Sequence, residues 1–253
     1  MNTLHYACNK KKLHPDIARV FLQNKKSSEV TDFLKKKTRF SQIKFLLFVF
    51  MTVLQWKHYH IKGILWYETF LLNKWNVADI LKQKRKKNLL DIGAWDGSIT
   101  QIFREFVDEI DCIEPSVSFS KILIKRGFNI QNESVNKPHD IVTIFNVLDI
   151  CEYPEKVLEK AKKNLAKDGL LIISLPFPIW TRSWDIRNIK KTNTLGQPKS
   201  TSFELSVSEF YENFLQKNNL KVIQFSRLPY LVSKPDIKEV VVYDNGLFVC
   251  RNN

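Results

Sequence analysis

"NLLDIGAWDGSIT", Asn88 to Thr100, decides how this chain folds. Leu89, Leu90 and Ile92 make a short apolar run, as in a strand buried on both faces of a parallel sheet. Gly93 and Gly97 then break the run, and Ile99, Ile102, Phe103 and Phe106 resume at helical spacing. The stretch is predicted to be strand, turn and helix in succession.

The pattern continues downstream. "EIDCIEP" (109–115), "DIVTIFNVL" (140–148) and "LLIISLPF" (170–177) read as buried strands. Between them "SFSKILIKRGF" (118–128) and "PEKVLEKAKKNLAKDG" (154–169) read as helices, the second amphipathic and closed by Gly169. Strands alternating with helices of this length imply βαβ units. After a helix at "VSEFYENFLQKNNL" (207–220), two strands, "KVIQFSRLPYL" and "EVVVYDNGLFVCR", follow around a loop holding Pro235. The predicted fold is a doubly wound, mostly parallel, Rossmann-like α/β sheet with an antiparallel C-terminal edge.

Upstream the composition changes. Residues 1–90 hold 19 Lys/Arg and 5 Asp/Glu, which accounts for the whole net charge of +14; the remaining 21 and 21 cancel. Such a basic third suits nucleic acid, an anionic membrane or an acidic partner, or is a merely solvated face. Residues 1–40 read as a basic arm with short surface helices, 41–87 as a helical extension packing on the core, and 88–253 as the α/β domain. The apolar run Phe45–Trp56 has 12 residues, too few to cross about 30 Å of hydrocarbon. No transmembrane segment is therefore expected, and "HYH" (His58 to His60) reads as structural. The opening residues lack the apolar core of a secretory leader. Cys8, Cys112, Cys151 and Cys250 are widely spaced, which indicates neither a zinc site nor a disulfide framework. A reduced, cytoplasmic monomer is the expectation, with organelle association left open.

In a doubly wound sheet the ligand sits beyond the carboxyl ends of the strands, where strand order reverses. Gly93 and Gly97 let the backbone turn sharply and approach a ligand. Their spacing is not G-x-G-x-x-G, and no Walker lysine follows. What remains is D-x-G-x-x-x-G, with Glu114 near the end of the next strand. Read alone, Asp91 and Glu114 could be ordinary turn acids. Their placement in one βαβ unit resembles motif I of class I S-adenosylmethionine-dependent methyltransferases, with Trp95 where a middle glycine is usual. That resemblance implies S-adenosyl-L-methionine as cofactor. It places Asp91, Gly93, Ala94, Gly97 and Asn146 around the cofactor and puts Glu114 on the two ribose hydroxyls, because a carboxylate can accept both bonds of a vicinal diol.

"FNVLDICEYPEKVLEKAKKNLAKDGLLIISLPFP" and "FSRLPYLVSKPDIKEVVVYDNGLFVCR" resemble the DREV, or methyltransferase-like-nine, family, from about Ile61 to the C-terminus. The resemblance implies a protein-histidine methyltransferase acting on the backbone-proximal ring nitrogen in His-x-His motifs. The family's N-x-x-D signature falls on Asn146 and Asp149, and its tyrosine in R-L-P-Y-L on Tyr230. These three are the expected catalytic residues, with no metal. Without the resemblance, the polar pair could cap the next helix and Tyr230 could be a core aromatic. Two departures stand out. Val240 and Val241 occupy the places of a family Tyr-Tyr pair, with Tyr243 nearby but out of register, and "IKGIL" is followed by "WYETFLLNKW" rather than a glycine-rich turn. The alternatives are an RNA methyltransferase, suggested by the basic third, and a degenerate methyltransferase fold serving as a binding protein.

Overall fold

The structure is a computed structural model and describes residues 4–35, 68–131, 137–179, 193, 195, 199–233 and 240–253. The apolar run after Asn88 lies in β2 (Lys86–Ile92), and the sheet explains its composition. Leu89 faces one core, while Leu90 and Ile92 face the other. β3 (Val107–Ile113) and β4 (Asn129–Ile130) extend the sheet in parallel on one side of β2; β5 (His139–Phe145) and β6 (Leu165–Pro176) do so on the other. In β6, Leu170 and Ile172 join the first core and Leu171 and Ile173 the second, so both faces need covering.

β7 (Leu220–Ser233) and β8 (Val240–Asn252) close the C-terminal edge as antiparallel strands, β8 against β6 and β7 against β8. The full order is β1-β7-β8-β6-β5-β2-β3-β4. This is the mostly parallel α/β sheet with an antiparallel edge read from the sequence. The order reverses between β2 and β5, so the loops after these two strands meet at one place.

Several boundaries differ from the sequence reading. Within the segment read as a helical extension, Glu68–Phe70 form β1, an antiparallel edge strand on β7, and Lys74–Ile80 form a helix capped by Asn73. Residues 41–67, which include the apolar run, "HYH" and "IKGIL", lie outside the described residues, as does Pro235. The helix expected after Gly97 is a short 3-10 turn, Thr100–Glu105. The helix Pro154–Lys163 ends at Asn164, well before Gly169. Asn164 donates to the Lys160 carbonyl at 3.0 Å, and the next residue, Leu165, already pairs with His139 in the sheet. Gly169 instead marks a tight point of β6, where a Cβ would come within 2.7 Å of Leu165 and 3.1 Å of the His139 carbonyl.

The N-terminal helices Pro15–Arg19 and Ser28–Lys35 bury Ile17, Val30 and Phe33. Backbone bonds join this segment to β7, with Phe225 N–H donating to the Val20 carbonyl at 3.0 Å and Leu22 N–H to the Phe225 carbonyl at 2.8 Å. Arg227 binds the Ala7 carbonyl at 3.1 Å and Asp244 at 2.9 Å. Lys10, Lys11 and Lys12 stay exposed. Among the described residues no helix is long and apolar enough to cross a membrane.

Candidate functional site

The turn after β2 owes its shape to three residues in the left-handed region: Gly93 and Gly97 at φ +79° and Trp95 at φ +52°. The space left by the glycines is filled by protein. A Cβ on Gly93 would lie 2.5 Å from Val147, and one on Gly97 2.6 Å from Phe128. The glycines thus let the first turn nest against the loop after β5 and against the start of β4. Trp95 keeps the left-handed backbone that a glycine would adopt at lower cost. Its ring lies on Phe119, centroids 3.8 Å apart at 31°, and its N–H donates to Glu114 Oε2 at 2.9 Å. Ala94 beside it is buried.

Asp91 sits beneath this turn. Thr100 donates to its Oδ2 and Thr143 to its Oδ1, the latter at 2.7 Å. Burial pushes the carboxyl up to about 6, against the pull of those two hydroxyls. Asp91 therefore ties the first turn to β5, and both its oxygens are engaged by protein donors. Asp96, which the sequence reading did not single out, stiffens the same loop. It accepts from Ser98 N–H at 3.0 Å and pairs with Arg126 at 3.3 Å.

Glu114 leaves the end of β3 half-buried. Trp95 N–H holds Oε2 and Ser116 N–H holds Oε1, each at 2.9 Å. Burial raises its pKa and these two backbone donors oppose the rise. Each carboxylate oxygen has a second lone pair, so Glu114 arrives oriented and can still accept a vicinal diol.

The N-x-x-D turn follows β5. Asn146 has φ +56°, and its N–H donates to the Ser174 carbonyl at 2.7 Å. Its Oδ1 accepts from Asn245 Nδ2 at 2.5 Å, while its own buried Nδ2 makes no well-formed hydrogen bond among the described residues and faces the Tyr230 phenol. Asp149 is 6% exposed, and Tyr230 on β7 lies in its field. Burial pushes the Tyr230 phenol well above its ordinary value; Asp149 and Tyr243 add to the rise, and the Asn146 amide opposes it. The structure thus brings Asn146, Asp149 and Tyr230 together, with Asp91, Gly93, Ala94, Gly97 and Glu114 on the adjoining turns.

Three neighbours were missed or misjudged in the sequence. Tyr243 is the direct cross-strand partner of Tyr230, with ring centroids 6.1 Å apart, whereas Val240 and Val241 pair with Ser233 and Val232. Asn245 is fully buried in β8 and supports Asn146. Asn193 donates to the Leu148 and Cys151 carbonyls at 2.8 and 2.7 Å, pinning the turn that carries Asp149. Among the described residues no group of His, Cys, Asp or Glu could hold a metal ion. An oriented carboxylate with spare lone pairs and a buried amide awaiting an acceptor fit a cofactor that carries a ribose diol and an amino-acid carboxylate.

Residues 5–251 match the family model described as DREV methyltransferase. The match begins at residue 5, not near Ile61, so the basic N-terminal segment falls within the family's span. Among solved structures, the chain is similar to a Pyrococcus horikoshii protein named as a proposed RNA methyltransferase, with 14% identity, 71% of this chain and 81% of that one covered, and a TM-score of 0.48. It is also similar to the glycopeptide N-methyltransferase MtfA bound to (S)-adenosyl-L-methionine, with 12% identity, 72% and 87% coverage, and a TM-score of 0.47. A third likeness is to YcgJ of Bacillus subtilis, with 15% identity, 71% and 98% coverage, and a TM-score of 0.44.

Proposed function

The chain belongs to the DREV methyltransferase family, whose members use S-adenosyl-L-methionine, and on that footing we propose that it methylates histidine in proteins, at the ring nitrogen nearer the backbone in His-x-His motifs. The observation that carries this reading is the N-x-x-D turn, which sets a buried carboxylate, Asp149, beside Tyr230 and Asn146 at the mouth of the sheet. The cofactor supplies an electrophilic methyl group on a sulfonium. Glu114 would hold its ribose diol, the Gly93–Gly97 turn would cradle it, and Asn146 would bond its amino-acid end or the substrate.

The remaining chemistry belongs to the acceptor. A neutral imidazole has one N–H and one lone pair, and only the lone pair can attack carbon. Asp149, accepting the N–H of the far nitrogen, selects the tautomer in which the near nitrogen is nucleophilic. The same carboxylate stabilises the positive charge that grows on the ring as the new N–C bond forms and the methyl–sulfur bond breaks, its electron pair going to sulfur. Loss of the far N–H proton to solvent then leaves the neutral methylated ring. Tyr230 stays protonated, since its pKa is pushed upward, so it can wall the slot and orient the ring but not act as a base. Tyr243, opposite it, supplies a second aromatic surface. Most of the acceleration would come from in-line positioning.

The test is to incubate the protein with labelled S-adenosyl-L-methionine and peptides containing His-Ala-His or Ala-Ala-Ala, and to locate the methyl group by mass spectrometry. The reading expects 1-methylhistidine in the first peptide only, lost in Asp149→Ala. Cofactor binding without transfer to histidine overturns the substrate assignment. Exposed Lys10, Lys11 and Lys12 favour RNA as the next acceptor to try, and a steep fall of RNA binding with salt would support it.

A further inference from the structure

We propose that Asn245 fixes the direction of the Asn146 side-chain amide, so that Asn146 turns its NH2 group toward the site and binds a ligand oxygen, a carboxylate or a carbonyl, rather than an amino group. The proposal rests on the reading of the N-x-x-D turn as a ligand site.

Four observations support it. Asn245 is fully buried in β8, and its Nδ2 donates both to Asn146 Oδ1 at 2.5 Å and to Ser174 Oγ at 2.8 Å. The Asn146 carbonyl oxygen is therefore already engaged from the protein side. The Asn146 backbone is also locked, at φ +56° and with its N–H on the Ser174 carbonyl at 2.7 Å. Its Nδ2 is buried without a well-formed hydrogen bond among the described residues and faces the Tyr230 phenol, which leaves at least one of its two N–H groups unmatched, as Asn245 Oδ1 is on the other side of the pair. A buried donor left unmatched costs more than an ordinary hydrogen bond returns. An arriving acceptor removes that cost; an arriving ammonium group finds only another donor. Asn245 touches no ligand in this scheme. It is a positioning residue acting through Asn146.

The ligand oxygen has two sources: the carboxylate of the cofactor's amino-acid end, or a main-chain carbonyl of the substrate peptide. Calorimetric titrations with S-adenosyl-L-homocysteine, its decarboxylated analogue and a His-Ala-His peptide separate them. Asn146→Asp still accepts the bond from Asn245 but sets an oxygen against the ligand. Asn245→Asp reverses the buried bond and turns the Asn146 carbonyl outward. Both variants are expected to weaken one ligand at least about tenfold, the scale of one charge-assisted hydrogen bond.

If the carboxylate is the source, S-adenosyl-L-homocysteine weakens and the decarboxylated analogue does not. If the carbonyl is the source, only the peptide weakens. If Asn245→Asp does not fold, Asn146→Asp decides alone. A folded Asn146→Asp that binds S-adenosyl-L-homocysteine within twofold of the parent, with no change in peptide binding or none to measure, overturns the proposal. The readout is binding, so the proposal stands or falls separately from transfer to histidine. A weakened S-adenosyl-L-homocysteine in a protein that never methylates histidine leaves it standing while the substrate reading falls.

Discussion

Two buried polar clusters sit in this sheet, and they differ in where their bonding capacity points. Around Asp111 it points inward. Asp111 is fully buried, and Gln131 binds Oδ1 at 2.9 Å while His139 lies 2.9 Å and Lys137 3.4 Å from Oδ2. Lys137 also holds Glu109 at 2.6 Å. These partners hold Asp111 below its ordinary pKa despite its burial. Around Asn146 part of the bonding capacity is left open. There the backbone is left-handed at Trp95 and Asn146, and an amide donor waits unmatched. Strained backbone and unmatched polar groups persist only where the surroundings impose them, and they cluster at ligand sites. Similar residue types thus do different work. Because His139 Nδ1 is also buried without a hydrogen-bond partner among the described residues, it is the left-handed turns beside Asn146, rather than an unmatched atom alone, that set its cluster apart.

The difference breaks most visibly under alanine. Asp149→Ala should lower methyl transfer by about 10²–10³-fold, the range for a lost group that stabilises charge developing in the transition state, with little change in melting temperature. Asp111→Ala should do the reverse. Removing one member of a buried pair costs about 3–5 kcal/mol of stability, while turnover per folded molecule stays near the parent value. Denaturation curves and steady-state rates on the same two proteins check both halves. Swapped phenotypes would show that the polar cluster on β3 and β5 is the working one.

Glu114 sharpens the comparison, because it is a half-satisfied carboxylate between the two extremes. Replacing it by Gln keeps the shape but removes the charge from the bonds to the diol. About 1.5–3 kcal/mol of cofactor affinity should be lost, the worth of hydrogen bonds to a charged group. Titration with S-adenosyl-L-homocysteine measures this directly. An unchanged affinity would mean that the ribose lies elsewhere.

Asp91 tests the same idea through pH. Its folded pKa of about 6 lies above the usual 3.8 because it is buried. Between those values the folded chain holds a proton that the unfolded chain has released. The contribution of this group to stability is thus fully present below about pH 4 and is lost as the pH rises through 6. Asp91→Asn removes that dependence. The parent should gain about 2 kcal/mol on the variant as the pH falls from 7 to 4. Chemical denaturation at several pH values checks it, and parallel curves would mean that Asp91 titrates normally.

How much of this was readable beforehand depended on range. The parallel core was legible because Leu89–Ile92, Ile141–Phe145 and Leu170–Ile173 carry their burial in their own composition. The N-x-x-D turn was legible as a local motif. β1 was not: three residues, Glu68–Phe70, become a strand only by pairing with Leu231, Val232 and Ser233. The partnership of Tyr243 with Tyr230 is set by the β7–β8 register, which side-chain spacing alone does not give. Asn245 reaches Asn146 across 99 residues of chain, and no local pattern announces such a bond. The glycines of the first turn were found through the sharp turn they allow, which their φ of +79° bears out, but their packing was not readable. Their missing side chains make room for Val147, Leu123 and Phe128, contacts that exist only once the loops meet.

The smallest expected effect concerns Trp95, the residue at which the turn could have failed. It carries two opposed contributions. A left-handed backbone at a non-glycine residue costs on the order of 1 kcal/mol, while an aromatic pair returns about 0.5–1.5 kcal/mol beyond burial; here the ring of Trp95 lies 3.8 Å from that of Phe119. Trp95→Gly removes both contributions, so its stability should fall within about 1 kcal/mol of the parent. Trp95→Ala keeps the strain and loses the ring, and should be the less stable of the two by about 1 kcal/mol. Affinity for S-adenosyl-L-homocysteine should hold within about threefold in Trp95→Gly, because the bond to Glu114 comes from the backbone N–H and glycine keeps both that N–H and the left-handed turn. A large loss of affinity in Trp95→Gly alone would show that the indole itself touches the cofactor, which would make this turn depend on its side chain.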